Sequence, residues 1–477
     1  MNTRETEERL FMGIFKKKKI DKRAVTYKRP SDTPARLVFK HSNIITKLSL
    51  LIFGLGNLLH KQIIRGLIFL ALEIAYIYYM VTFGIKSIGD FITLGTKQQE
   101  EVWNDAKGIY EYVLGDNSML CLLYGVITIF LTLAIIFVAY MSMKSAFCTQ
   151  MRVKAKLHVP TFRDDIRSLK EENLQTLLLA FPVIGALVFT VVPLVYMILI
   201  AFTNYDSTHQ PPGNLFDWVG LLNFKNLFAA GGRLSQTFWP VLGWTLIWAV
   251  CATASNFILG MLLAIIINRK GTKAKGFWRF MFVLSIAVPQ FVSLLAMKTI
   301  FNVSGPVNVL LKQWGLIDKS IPFFLDANTA RVTIILINIW IGVPYTMLST
   351  TGILQNIPGE LYEAARIDGA TAPKIFWKIT LPYMIFVMTP TLITSFTGNI
   401  NNFNVIYLLS GGGPATLDYY FAGKTDLLVT WLYNLTITNK DYSTGAVIGI
   451  MTFIILATVS LITYHRTGSY KDEGAFQ

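Results

Sequence analysis

From about residue 44 onward, long apolar runs alternate with short polar segments. A helix needs about 20 apolar residues to cross the hydrocarbon core of a bilayer. Runs of that order cover 66–84, 119–143, 176–202, 240–267, 280–300, 332–353, 383–409 and 445–464. The pattern predicts an all-α membrane protein with about eight transmembrane helices, since helices satisfy their own backbone groups in lipid. A further apolar stretch, 44–59, is too short to cross. Gly54 and Gly56 interrupt it, and His60, Lys61 and Arg65 follow directly. It predicts an interfacial or re-entrant segment over 44–65.

Charge sets the expected orientation. Basic residues crowd the first 43 positions, with a lysine run at 16–19 and a second cluster at Lys22 and Arg23. They recur at Arg152, Lys154, Lys156, Arg163, Arg167 and Lys170, and again at Lys273, Lys275 and Arg279. Short basic loops stay in the cytoplasm. Both termini are therefore expected inside, with 204–238, 302–330 and 410–443 on the outer side. The chain divides into a basic cytoplasmic tail (1–43), the short apolar segment (44–65), a transmembrane hairpin (66–143), a cytoplasmic linker (144–175), a six-helix core (176–466) and a short cytoplasmic tail (467–477).

Composition agrees with this picture. The chain has 477 residues, 53% hydrophobic and 15% charged, with mean hydropathy +0.49. Soluble domains carry nearer a quarter charged residues. The net charge of +15 lies in membrane-flanking loops, which argues for a bilayer and against nucleic acid as the partner. Cys121, Cys148 and Cys251 are far apart, and neither a disulfide framework nor a metal site follows from them. No cleavable signal is expected, because a long charged segment precedes the first apolar stretch.

Several runs carry groups that are costly in hydrocarbon: Asn256, Lys298, Asn338, Ser395, Asn399, Asn401 and Asn402. A lone asparagine reads as interhelical glue, worth about 0.6 kcal/mol. Spacing changes that reading. Ser395, Gly398, Asn399 and Asn402 recur at three and four residues and share one helix face; Asn338, Ile341, Gly342 and Tyr345 do the same one span earlier. Amides and phenols donate and accept, as sugar hydroxyls do. Two such faces suit a hydrated path for a hydroxyl-rich solute. Glu73 is the obvious acid within a span. It reads as near a helix end or locally paired, with a proton-linked role as the alternative.

The segment 356–382, NIPGELYEAARIDGATAPKIFWKITLP, is polar and lies between two apolar spans. Pro358 suits a first helical turn, Glu360 and Glu363 suit the N-terminal end of a dipole, and Gly369 suits a C-cap. Thr371 precedes a second start at Pro373, and Pro382 closes the unit. The expectation is a short helix, a glycine turn and another short helix, with Ala364 and Ala365 offering a face without bulk.

This segment resembles the shared cytoplasmic motif of membrane subunits of binding-protein-dependent ABC importers. The matching residues are Glu363-Ala364-Ala365, Gly369, Ile379, Leu381 and Pro382. Further matches are Val219-Gly220-Leu221, Asn223-Phe224, Leu227-Phe228, Trp340, Gly342, Pro344, 355–358, Asp368-Gly369-Ala370 and Gly411-Gly412-Gly413-Pro414. They place the resemblance among carbohydrate-uptake permeases, over roughly 176–466. Residues 298–302, 399–403 and 422–428, with the two leading spans, look most like the larger membrane subunit of maltose and maltodextrin importers.

The resemblance implies a type I ABC importer permease in a bacterial cell membrane. It implies a second, smaller permease subunit, two ATPase subunits and an external sugar-binding protein, usually a lipoprotein in the Gram-positive arrangement that the short 204–238 loop suggests. Sugar contacts carried over by motif are Asn338, Ile341, Gly342, Tyr345, Ser395, Gly398, Asn399 and Asn402. Glu363, Ala364, Ala365, Asp368 and Gly369 would engage an ATPase subunit. No phosphate-binding G-x-x-x-x-G-K-[ST] run occurs. This chain is expected to be no enzyme and to hold no cofactor, with ATP and Mg bound by the partners. Gly398 stands where the enteric maltose subunit has an aromatic residue, so sugar stacking would come from elsewhere; galacto-oligosaccharide importers share most of these motifs, and galacto-oligosaccharides or another oligosaccharide are the rival cargo. A stand-alone proton-coupled carrier and a membrane scaffold are the rivals from other classes.

Overall fold

The computed structural model describes residues 35–171, 173–269 and 271–466. The basic run at 16–19, Lys22, Arg23 and the tail at 467–477 lie outside them. Among the described residues seven helices are long and apolar enough to cross a membrane, and one bent pair, taken as a single span, makes eight. The described residues form two compact units, one up to residue 196 together with 211–215, the other 197–210 together with 216 onward.

In the first unit the stretch after residue 43 forms two short helices, α1 (Ile44–Leu48) and α2 (Leu55–Leu59). Asn43 caps α1 by accepting from the Thr46 N–H at 2.8 Å. Gly54 lies at φ +79 against Gly66, where a Cβ would meet the Gly66 carbonyl oxygen at 2.3 Å. Any side chain would force the two segments apart. The first long helix, α3 (Ile63–Thr93), runs beyond the predicted 66–84. Glu73 is indeed locally paired: it accepts from the Phe53 N–H at 2.7 Å. Helix α4 (Ser118–Lys154) continues past its apolar run, because residues 142–150 bury polar side chains against α1 and α2. Tyr76 donates to Thr132 at 2.9 Å and Tyr79 lies 2.7 Å from Thr128, joining α3 to α4. Helix α5 (Leu174–Ile200) follows.

The loop between α3 and α4 folds into an antiparallel hairpin, β1 (Glu100–Asn104) with β2 (Ile109–Val113), that hydropathy alone does not anticipate. Asp116 anchors its base, accepting from the Thr96 and Lys97 N–H groups at 2.8 and 3.0 Å. Those two bonds hold its carboxyl below the usual range.

The second unit is built on α6 (Arg233–Asn268), which packs along α9 (Ala327–Gln355) and α11 (Leu381–Ile400). Its core joins Trp244, Trp248 and Ala252 of α6 to Leu294, Ile334, Ile337, Val405 and Leu409. The two buried indoles find acceptors, Trp244 on the Thr425 carbonyl at 3.1 Å and Trp248 on the Asn399 carbonyl at 3.0 Å. The span predicted at 280–300 consists of two helices, α7 (Lys275–Ala287) and α8 (Gln290–Ile300), bent by 89°. Pro289 explains the break: it lacks an N–H and drives Val288 to extended backbone, ψ 125.

Helix α10 (Gly359–Ile367) follows α9. Pro358 sits at its N-cap, one position before the predicted first turn. The second short helix is not separate. Ala372–Ile375 runs through one wide turn, Phe376–Thr380, into α11, and Pro382 lies in the first turn of α11. Asn401 and Asn402 break the helix before α12 (Phe403–Leu409), which Asn402 caps. Helix α13 (Leu428–Tyr433) and the last span, α14 (Tyr442–Arg466), complete the unit.

Candidate functional site

A cavity of about 340 Å³ lies among α6, α9 and α11, at the lower end of the range for ligand pockets. Helix α9 lines it with Gly342, Tyr345, Thr346 and Ser349; α11 contributes Met388, Thr391, Leu392, Ser395, Gly398 and Asn399, with Asn402 beyond its end. Helix α6 supplies a third wall: Thr253, Asn256 and Phe257. No lining residue carries a formal charge. Hydroxyls and carboxamides supply nearly all the polar groups, a composition matched to neutral polyols.

Close helix contacts create this arrangement. Gly260 faces Thr346, where a Cβ would meet the Thr346 Cβ at 2.6 Å. Small residues at such crossings let helix backbones approach. Asn399 is held from two sides, its Nδ2 donating to Thr253 Oγ1 at 2.9 Å while its carbonyl receives the Trp248 N–H at 3.0 Å. Asn402 Oδ1 accepts from the Val405 N–H at 3.3 Å. Tyr345 is half exposed to the space, at 52%.

Six of the eight residues expected to contact sugar come together here: Gly342, Tyr345, Ser395, Gly398, Asn399 and Asn402. Asn338 and Ile341 do not line the cavity. Asn338 is buried, with Nδ2 unpartnered among the described residues, and Ile341 packs on the core of α6, α9 and α12. Periodicity gives the face of a helix and not the height along it; Asn338 lies about 6 Å of helix rise from Gly342. Thr253, Asn256, Thr346, Ser349 and Thr391 are the residues this reading missed. Asn256 carried a signal, as an amide within an apolar run. The hydroxyl residues carried none.

Helix α10 has one anchored and one open face. Tyr362 packs with Ile357, Phe257, Met384 and Met388, and its hydroxyl lies 3.2 Å from Thr380 Oγ1. Glu363, Ala364 and Asp368 are exposed, Ala365 is half-buried, and Ile367 is 86% exposed. Gly369 ends the helix at φ +72. The N–H of Ala370 donates to the Ala365 carbonyl at 2.9 Å and that of Gly369 to Arg366 at 3.0 Å, the paired bonds of a glycine C-cap. Phe257 and Met388 belong both to the apolar cluster under α10 and to the cavity wall.

A polar cavity inside a bundle of membrane spans, with an anchored short helix below it, defines a membrane transport subunit. The chain belongs to the family of binding-protein-dependent transport system inner membrane components. That family's model matches residues 256–466. The chain is 36% identical to the galactooligosaccharides transport system permease protein GanP of Bacillus subtilis, over 91% of this chain and 100% of that one. It is 35% identical to the maltodextrin transport system permease protein MalC of Streptococcus pneumoniae, over 88% and 95%. Against the maltose/maltodextrin transport system permease protein MalF of Salmonella typhimurium it is 36% identical, over 52% and 49%. Among solved structures, a chain of a bacterial ABC transporter involved in alginate import shares the fold, with TM-score 0.51 and 23% identity over 63% of this chain and 96% of that one.

Proposed function

We propose that this chain is the permease subunit of an ATP-driven, binding-protein-dependent oligosaccharide importer, and that the cavity among α6, α9 and α11 is its share of the sugar path. The observation that carries this reading is an uncharged cavity lined by hydroxyls and carboxamides from three helices. It favours a neutral, hydroxyl-rich solute over an ion. Tyr345 offers an aromatic face, and Ser395, Asn399 and Asn402 offer donors and acceptors. Asn338 and Ile341 act from outside the cavity, as supports for the α9 face. A maltodextrin is the first reading for the cargo. Galacto-oligosaccharides are the second, supported by the likeness to GanP over its whole length; at Gly398 a Cβ would meet nothing within 4 Å. That wall is open where an aromatic would stack.

Helix α10 is where a partner ATPase subunit takes hold, on the cytoplasmic side, with both termini of the chain on that side. A second, smaller permease subunit, two ATPase subunits binding ATP and Mg, and an external sugar-binding lipoprotein complete the assembly. Glu363 provides the anchoring charge, Ala364 and Ala365 the close approach, and Asp368 with Gly369 the end of the lever. Movement of α10 reaches the cavity through Phe257 and Met388. Glu363→Lys is expected to lower sugar uptake and sugar-stimulated ATP hydrolysis on the order of a hundredfold, as for loss of an interfacial charge pair, with membrane insertion intact. Normal uptake in that variant would remove the coupling role. Sugar-stimulated ATP hydrolysis by the assembled complex, compared between an α-1,4-glucan and a β-1,4-galactan tetrasaccharide, decides the cargo.

A further inference from the structure

We propose that Asn256, on α6, is a specificity-determining sugar contact of this permease, and that Gly342 is glycine in order to admit its carboxamide. The inference rests on the sugar-importer reading above.

Three carboxamides line the cavity, and they differ in what they already hold. Asn399 donates to Thr253, and Asn402 caps α12, its Nδ2 lying 3.5 Å from Asn399 Oδ1. Both are tied to the protein. Asn256 makes no side-chain hydrogen bond among the described residues, and its Oδ1 is enclosed without a partner. A polar group in that state destabilises the empty site until a ligand group pairs with it. Asparagine is a poor helix former, and here it makes none of the interhelical hydrogen bonds that would give it a structural role.

The facing residue supports the assignment. A Cβ on Gly342 would fall 2.2 Å from Asn256 Nδ2 and 2.7 Å from Oδ1, closer than non-bonded atoms allow. Any other side chain at 342 would push the amide out of its place. Gly342 therefore acts through Asn256 as a positioning residue. With Oδ1 enclosed, the amide presents Nδ2 as a donor, so it reads whether a sugar oxygen stands where it can accept. Asn256 lies one helical turn from Thr253 on the same face, so the third wall presents a hydroxyl and an amide together. A cargo whose hydroxyl cannot reach leaves the amide unpaired, and such sites discriminate strongly.

The test uses the complete importer, with its partner permease, ATPase and binding protein, in liposomes. Transport of an α-1,4-glucan tetrasaccharide is compared with that of a β-1,4-galactan tetrasaccharide as the ratio of their kcat/KM values. Asn256→Ala is expected to move this ratio at least about tenfold in a complex that assembles in normal yield. Gly342→Ala is expected to move it in the same direction, and the double variant to match Asn256→Ala alone, since the displaced amide is then gone. An unchanged ratio, an equal loss for both sugars, or additive effects in the double variant overturns the proposal. A wild-type complex that moves neither sugar overturns the importer reading and this inference with it. Transport by wild type with an unmoved ratio in Asn256→Ala overturns only the inference.

Discussion

Two groups of amides and hydroxyls lie inside this apolar chain, one in each unit, and they are used in opposite ways. In the N-terminal unit Asn57 donates to Gln62 Oε1 at 2.7 Å and to Ser145 at 2.9 Å, and Thr149 donates to Gln62 at 2.8 Å. Gln62 donates to the Pro160 carbonyl at 2.9 Å, and Thr46 to Gln150 at 2.7 Å. Backbone groups join in, Gly54 N–H to Ser142 at 2.7 Å and Gly56 N–H to Ser49 at 2.8 Å. The network is buried and nearly complete, with Asn57 Oδ1 the atom left over. Around the cavity of the second unit, Tyr345, Ser349, Thr391, Ser395 and Asn256 have no side-chain partners among the described residues. The residue types are the same. A completed network fixes local structure, whereas an incomplete one around open space is left for a ligand.

The comparison can be broken by exchanging symptoms. Tyr345→Ala with Asn399→Ala is expected to lower transport about a hundredfold, as for two lost hydrogen-bonding contacts, in a complex that still assembles. A dissociated complex would make the cavity structural instead. Gln62→Leu strips Asn57 and Thr149 of the acceptor they share, leaving each only its bond to Ser145, and leaves the buried Pro160 carbonyl without its donor, which costs about 2–3 kcal/mol. The melting temperature of the purified subunit should fall while KM for sugar stays put; a changed KM would place this network in the transport path.

Asp426, in the loop before α13, tests the same rule at a single atom. Oδ2 accepts from the Gly423 N–H at 2.8 Å, but Oδ1 is enclosed against Gly412 without a partner. Burial pushes its carboxyl up to about 6. The folded protein therefore holds this proton more tightly than the unfolded chain. Stability from this group is highest below pH 4, falls as pH rises toward 6, and is level above that. Asp426→Asn should remove that slope and stabilise the subunit at pH 7.5 by on the order of 2 kcal/mol, read from thermal melts between pH 4.5 and 7.5. An unaltered slope would locate the titration elsewhere. The smallest effect belongs to Gly369→Ala, which forces a side chain to φ +72 with no steric neighbour and costs about 1 kcal/mol. A few-fold loss of sugar-stimulated ATP hydrolysis is expected; full activity would mean that the angle after α10 is not transmitted.

Much of this was legible in the order of residues. Apolar runs located the spans, three- and four-residue spacing found Tyr345, Ser395 and Asn399 on facing surfaces, and Gly369 marked the end of α10. The misses have physical causes. Pro289 sits within an apolar run, so hydropathy passes over the 89° bend it permits. In the hairpin, Trp103 opposes Tyr110 with ring centroids 5.0 Å apart, but strand pairing depends on residues meeting across a turn. Helix α4 extends past its apolar run because partners from α1 and α2 satisfy its polar residues.

Hydropathy and charge are sums over neighbours in the chain, so the sequence by itself determined the membrane class, the spans and the two surfaces on α9 and α11 that carry polar groups. Whether a polar group is spent or available depends on what faces it across a helix contact. That was decided only in three dimensions, where Gly260 and Gly342 bring α6 close to α9, Asn256 joins the cavity, and Asn338 is sealed away from it.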